Sequence, residues 1–206
     1  MFQTTSPLVL GSGSPRRREL LEGLGILFAV HPAVDPEPEF VTGSCPEEHA
    51  LDAARRKARE VAVAYPEAMV LAADTIVVVD GDVLGKPENA AVALEMLQRL
   101  AGREHAVITG CCLRMHAKGY EQGFAVRTRV WMRDFGKDVL TAYAATGEPL
   151  DKAGAYGIQD RAGFLVERIE GSYTNVVGLP LAETIKLLLE QDIIKARCHE
   201  TYVVWR

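Results

Sequence analysis

No apolar stretch in the chain approaches the roughly 18 residues of a membrane span, and the N-terminus lacks the cationic and apolar segments of an export signal. The expectation is a soluble, cytoplasmic protein. Cysteine is scarce. Cys45, Cys111, Cys112 and Cys198 show no Cys-x-x-Cys spacing, so a disulfide framework is not indicated and the thiols read as reduced and mostly buried. Positive charge is not in excess either: 23 Lys and Arg stand against 28 Asp and Glu, a net −5. That removes the bulk basic field typical of nucleic-acid binders and makes any anion recognition local. His31, His49, His105, His116 and His199 have no metal-ligand spacing and read as surface or strand residues. The familiar phosphate loops are missing too. "LGKPEN" lacks the first glycine and the hydroxyl residue of a Walker A, and Gly11 and Gly13 are followed by Arg16 where a dinucleotide fingerprint needs glycine.

What is present is an alternation of apolar runs and amphipathic segments over 206 residues, without repeats or low-complexity tracts. This argues for α/β architecture in one unit, residues 1–206. "PLVL" reads as the first strand. "SPRRRELLEGLG" reads as a helix with Ser14 as N-cap, Pro15 in its first turn and Gly25 past its end. "LFAVHPAV" is strand-like and "DPEPEFVTGSCPEE" is an acidic loop. A helix from about Ser44 to Tyr65 turns Leu51, Ala54, Ala58, Val61 and Tyr65 to the core. "AMVLAADTIVVVDGDVLGKP" is strand-like on both sides of Asp74 with a hairpin signal at Asp80-Gly81, and a helix follows from about Asn89 to Leu100. "HAVITGCCLRM" and "EQGFAVRTRVWMRDF" are further strands. The first puts Cys111 and Cys112 on opposite faces, and the second alternates Val126, Thr128, Val130 and Met132 with Arg127, Arg129 and Arg133. A helix over about Asp138–Thr146, a glycine-rich segment, a strand in "GFLVERIEG" and a helix near Leu181–Gln191 complete the pattern, and "ETYVVW" reads as an added strand.

Three features carry chemistry. Three arginines open the first helix, the end where the macrodipole disfavours cations. Either they form a solvated basic turn balanced by Glu19 and Glu22, or the helix N-terminus, Gly11, Gly13, Arg16 and Arg17 cradle an anion such as phosphate. Asp74 interrupts an apolar strand next to Thr75. It is either wet, at a bulge or strand end, or a carboxylate at the carboxyl end of a strand, facing a cleft as metal ligand or general base. Lys57 shares helical spacing with Ala50, Ala54 and Val61, so it snorkels beside the buried face or reaches into a cleft, and Lys86 occupies a tight "LGKP" turn. Four cations and one misplaced carboxylate suit a polyphosphate with a divalent metal.

"LGSGSPRRRELL", "RRKA", "AADTIVVVDGDVLGKP", "AGAYGIQDRAG" and "EGSYTNVVGLPL" together resemble Maf proteins over about residues 7 to 190, leaving 191–206 as a C-terminal extension. The resemblance implies a central twisted mixed β-sheet flanked by helices, with two lobes around a nucleotide cleft, similar to the inosine triphosphatase-like fold. It implies a nucleoside triphosphate pyrophosphatase, with Asp74, Lys57 and Lys86 catalytic and Ser12, Arg16, Arg17, Thr75 and Gln159 binding substrate. A divalent cation, Mg²⁺ or Mn²⁺, would be held by Asp74 and Glu37, with Asp35 the alternative second carboxylate in "VDPEPE". Arg16, Thr75 and Gln159 resemble the branch acting on dTTP and UTP rather than the one preferring 7-methyl-GTP. The family further implies a homodimer, and an alternative role as a non-catalytic nucleotide-binding regulator of septum formation. Gly11 departs from the family's usual alanine. A nucleic-acid-binding rival would use Arg127, Arg129 and Arg133; a solvated strand face is the reading preferred here.

Overall fold

The computed structural model describes residues 1–34, 40 and 43–197. Among the described residues, strands β1 (Phe2–Thr4), β2 (Leu8–Leu10), β3 (Ala29–Val30), β4 (Met69–Val79), β5 (Asp82–Leu84), β6 (Glu104–Met115), β7 (Tyr120–Met132), β8 (Val166–Glu170) and β9 (Ile194–Ala196) alternate with six helices. These are α1 (Pro15–Glu22), α2 (Pro46–Ala64), α3 (Ala90–Leu100), α4 (Lys137–Ala144), α5 (Tyr173–Val177) and α6 (Leu181–Glu190), with 3₁₀ turns between α4 and β8. Seven strands form one mixed sheet in the order β3-β2-β4-β6-β7-β8, with β5 folded back on β4. The β3-β2-β4 side is parallel and the rest antiparallel.

The long strands follow from their composition. β4 is almost wholly buried, and the Asp80-Gly81 turn after it takes φ of 54° and 86°, the two positive values a tight hairpin turn needs. Along β7, Thr128, Val130 and Met132 face the core while Arg127 and Arg129 face solvent. Each arginine of that face meets an acid: Arg127 meets Glu47, Arg129 meets Glu104 and Glu170, and Arg133 meets Glu167. The basic stripe is therefore neutralised on the protein itself.

Helix α2 covers one face of the sheet, and its alanines 50, 53, 54, 58 and 62 let it lie close. At Gly110 the approach is so close that a Cβ would overlap the backbone of Ala50. Gly110 is also the cross-strand partner of Asp74. The opposite face carries two separate clusters. One joins α1 and α6 to β2 and the first half of β4; the other joins α3, α4 and the 3₁₀ turns to the second half of β4. Cys111 packs in the first of these and Cys112 under α2, on opposite faces as expected, and burial pushes both thiols up to about 12.

Several expectations are corrected. Cys45 is exposed. Helix α1 stops at Glu22, and Gly25, at φ 77°, lies two residues beyond the capping Gly23. The strand expected in "LFAVHPAV" reduces to Ala29–Val30, both exposed at the sheet edge. Strand β1, its antiparallel pairing with β9 and helix α5 have no counterpart in the sequence reading. The expected strand in "ETYVVW" lies outside the described residues.

Candidate active site

Strand β4 is paired with β2 only over Met69–Leu71 and with β5 only over Val77–Val79, while β6 lines its other edge almost throughout. Between Leu71 and Val77 one edge of β4 carries no strand partner among the described residues. The sheet is parted there, and Asp74 and Thr75 sit in the opening. This corrects the reading of Asp74: it marks neither a bulge nor a strand end but the middle of an eleven-residue strand, just past the end of the parallel pairing. Successive strand residues face opposite ways. Asp74 faces α2, where Lys57 Nζ donates to its Oδ1 at 2.6 Å, and the two side chains are 16% and 8% exposed. A buried carboxylate of this kind is tolerable because an ammonium meets it. Lys57 therefore reaches the cleft rather than snorkelling away.

Thr75 faces the other side and meets α1. The loop Gly11–Ser14 crosses the parted edge, with Gly11 N–H donating to Leu71 O at 2.8 Å. Ser14 is the N-cap in backbone conformation only, without a side-chain cap. Its own N–H donates instead to Ser12 Oγ at 3.3 Å. The three arginines that follow have three destinations. Arg18 is exposed and pairs with Glu22, as the solvated-turn reading expects. Arg17 lies one turn before the buried Leu21 and points inward with it. Its Nε donates to Gly178 O (2.8 Å), Nη1 to Ser12 Oγ (2.8 Å) and Ala73 O (2.9 Å), and Nη2 to Thr75 Oγ1 (3.0 Å). Ala73 O is one of the acceptors that the parted sheet leaves without a strand partner. Arg16 crosses the cleft to the 3₁₀ turn at Glu148–Asp151, where Nη1 meets Asp151 Oδ2 at 2.9 Å and Nη2 meets the same residue's carbonyl at 3.2 Å.

The opening holds a cleft of about 700 Å³, the size of a small-ligand site. Ser12, Arg16, Arg17, Lys57, Asp74, Thr75, Lys86 and Gln159 all line it. One cavity thus gathers every described residue that the sequence reading selected. Lys86 and Gln159 are exposed on its far side, where Gly154 N–H donates to Gly85 O and ties their two loops together. Glu37 and Asp35, the candidate second carboxylates, lie outside the described residues. Among the described residues no three His, Cys, Asp or Glu side chains form a metal-sized cluster.

Sequence reasoning missed two parts of this wall. One is Lys152 with its acidic neighbours, indistinguishable in a glycine-rich segment from any surface lysine. The other is Tyr156, which lines the cleft and whose hydroxyl lies 2.7 Å from His105 Nε2 beneath the floor. Burial pushes the His105 imidazole down from 6.5 to about 4, against a smaller opposing pull from Glu104. The folded protein therefore holds this ring neutral while the unfolded chain protonates it below about 6.5. Stability should be full above that pH and decline toward pH 4, by on the order of 3 kcal/mol from this group. Urea unfolding midpoints between pH 4 and 7 should show a slope that is reduced in His105→Asn; equal slopes would refute the assignment.

A family model described as "Maf-like protein" matches residues 7–191. The chain belongs to the Maf-like family. Among curated relatives, a protein of Nitratidesulfovibrio vulgaris is 51% identical over 94% of this chain and 91% of its own length. One from Myxococcus xanthus is 51% identical over 88% and 90%, and one from Geotalea uraniireducens 44% identical over 95% and 100%. Each of the three is named dTTP/UTP pyrophosphatase. A solved HAM1 protein from Coxiella burnetii covers 90% of the chain at 18% identity with a TM-score of 0.47.

Proposed function

We propose that this Maf-like chain hydrolyses dTTP and UTP to the nucleoside monophosphate and pyrophosphate. The carrying observation is the parted edge of β4, where Asp74, Lys57, Lys86 and the Ser12–Arg17 turn share one cleft with Gln159. The relatives named dTTP/UTP pyrophosphatase, about half identical over nearly the whole chain, support the same reading.

Asp74 accepts a proton from the attacking water, which forms a bond to phosphorus as the bond to the bridging α–β oxygen breaks. Pyrophosphate leaves with its charge stabilised by Lys57, Lys86 and Arg16. Arg17, bonded to Ser12 and the β4 edge, holds the phosphate-facing turn in place. Gln159, with both a donor and an acceptor on its amide, reads the pyrimidine edge, and Thr75 lines the same cleft. A divalent cation such as Mg²⁺ fits this donor set, because Mg²⁺ typically takes one or two protein carboxylates and completes its shell with phosphate oxygens and water. Asp74 would hold it, with Glu37 as second ligand, and it would neutralise developing charge on the phosphates. A cytoplasmic setting goes with this reading, and the free thiols of Cys45, Cys111 and Cys112 accord with it; no helix among the described residues is long and apolar enough to cross a membrane.

The test is product analysis with Mg²⁺ and a nucleotide panel. Monophosphate and pyrophosphate from dTTP and UTP are expected. Diphosphate and phosphate would overturn the cleavage site, and tight binding without turnover would favour the non-catalytic regulator.

A further inference from the structure

Lys152 is a buried cation that the proposed mechanism does not use. Its side chain is 7% exposed, yet it lies in the cleft wall between Asp151 and Ala153. Nζ donates to Glu148 O at 2.7 Å and to Asp151 Oδ1 at 2.7 Å, and stands 3.4 Å from Asp160 Oδ2. An ammonium has three N–H groups, and three protein oxygens surround this one, so its geometry suits holding the wall rather than meeting phosphate.

What it holds is specific. Glu148 and Asp151 bound one 3₁₀ turn, and Asp160 directly follows Gln159. Lys152 therefore ties the start of the segment to its end and closes the loop that presents Gln159. The packing is tight around the stem. A Cβ at Gly157 would stand 2.7 Å from Lys152 Cε and 2.5 Å from Asp160 Oδ2, so the loop backbone lies directly on this tether. The other oxygen of Asp151 receives Arg16. One carboxylate is thus shared by Lys152 and Arg16, and these hydrogen bonds outweigh the opposing effect of burial to hold its carboxyl below the usual range.

We infer that Lys152 is a positioning residue for base selection, fixing the Gln159 loop in register with Arg16 on the opposite wall of the cleft. The inference rests on the proposed pyrophosphatase reading and on Gln159 as the base reader. Lys152 touches neither base nor phosphate; it acts through Gln159.

The experiment is a double-mutant cycle on substrate choice, read as kcat/KM for dTTP over kcat/KM for dATP with Mg²⁺. Lys152→Met keeps most of the stem and removes the charge. It should raise the dTTP KM and lower the preference ratio by roughly 10- to 100-fold, the scale of a small misplacement in a site, while kcat stays within about threefold of the unmodified chain. Gln159→Ala should lower the ratio similarly, and the double variant should fall little below either single one. Independent, multiplying effects would overturn the inference, as would a loss of kcat at unchanged KM, which would place Lys152 at the reacting phosphates. Failure of the underlying reading shows separately, as no dTTP preference in the unmodified chain or an unchanged ratio in Gln159→Ala, and either defeats the inference too. If Lys152→Met does not fold, Asp160→Asn takes its place, since it loosens the same tether from a partly exposed position, and the same outcomes decide.

Discussion

Asp74→Asn should lower kcat for dTTP by about 10²- to 10⁴-fold, the range removed with a positioned general base, while KM changes little and the melting temperature falls less than in Lys57→Met, because the ammonium left behind is the more exposed partner of the pair and keeps an oxygen acceptor. The reason lies in how the carboxylate is held. Lys57 donates to Oδ1, and an amide oxygen at that position still accepts the bond. Asparagine also matches aspartate in shape, so the contact with Gly110 across the strand pair and the packing of α2 are kept. What the substitution removes is the negative charge and with it proton acceptance. Turnover can be followed by pyrophosphate release in the two proteins. A kcat near that of the unmodified chain, in a variant that is folded at the assay temperature, would remove Asp74 from the chemistry. Lys57→Met makes a useful contrast. It leaves the carboxylate buried without its ammonium, so it should lower stability as well as turnover.

Asp74 also illustrates what the sequence makes legible. A carboxylate inside an eleven-residue run of otherwise mostly buried residues is costly anywhere, so its presence points to a site whatever the fold. The wrong part of the expectation was the mechanism of its exposure. Asp74 reaches the cleft because β2 ends at Leu10 and β5 begins pairing only at Val77, which parts the sheet beside the middle of β4. Strand pairing is a property of distant segments, and no local pattern around residue 74 encodes it. The long elements were legible for the opposite reason, since their periodicity is local. Helix α3 shows it: Asn89 caps it through bonds from the Ala91 and Val92 N–H groups, and it ends at Leu100 as its apolar spacing requires. Strand β1 was invisible because three residues with mixed burial have no usable period, and it forms only by pairing with β9 almost two hundred residues away. Arg16, Arg17, Lys57, Asp74 and Lys86 stood out by charge and placement, whereas Ser12, Thr75 and Gln159 came through resemblance to Maf proteins. Lys152 was not among them, because its role depends on Asp151 and Asp160 closing around it.

Arg17→Met should be the most destabilising substitution in the site, costing on the order of 4 kcal/mol. Sequence and resemblance put Arg16 and Arg17 together as anion binders, but the structure sends the two guanidinium groups to different places. Arg17 is 9% exposed and donates to four oxygens on three segments: the Ser12 turn, Ala73 and Thr75 of β4, and the cap of α5 at Gly178. Hydrogen bonds from a charged donor contribute about 1.5–3 kcal/mol each, and a buried carbonyl left without a donor costs about 1–3 kcal/mol. Thr75 Oγ1 can still bond Thr109, and Ser12 Oγ still accepts from Ser14 N–H. Ala73 O loses its Arg17 donor and methionine offers none, while Gly178 O keeps only the long 3.5 Å bond from Thr75 Oγ1. Arg17→Lys should recover little, since an ammonium cannot span acceptors that a planar fork reaches on several sides. Arg16→Met supplies the comparison. Its partner Asp151 is 56% exposed, so the lost pair should cost only about 0–1 kcal/mol, and the effect should fall on turnover. Urea denaturation of the two variants, with dTTP kinetics on each, separates these roles. Equal stability losses would mean that Arg17 is no more structural than Arg16, and an Arg17→Met protein of unchanged stability would return it to direct phosphate binding.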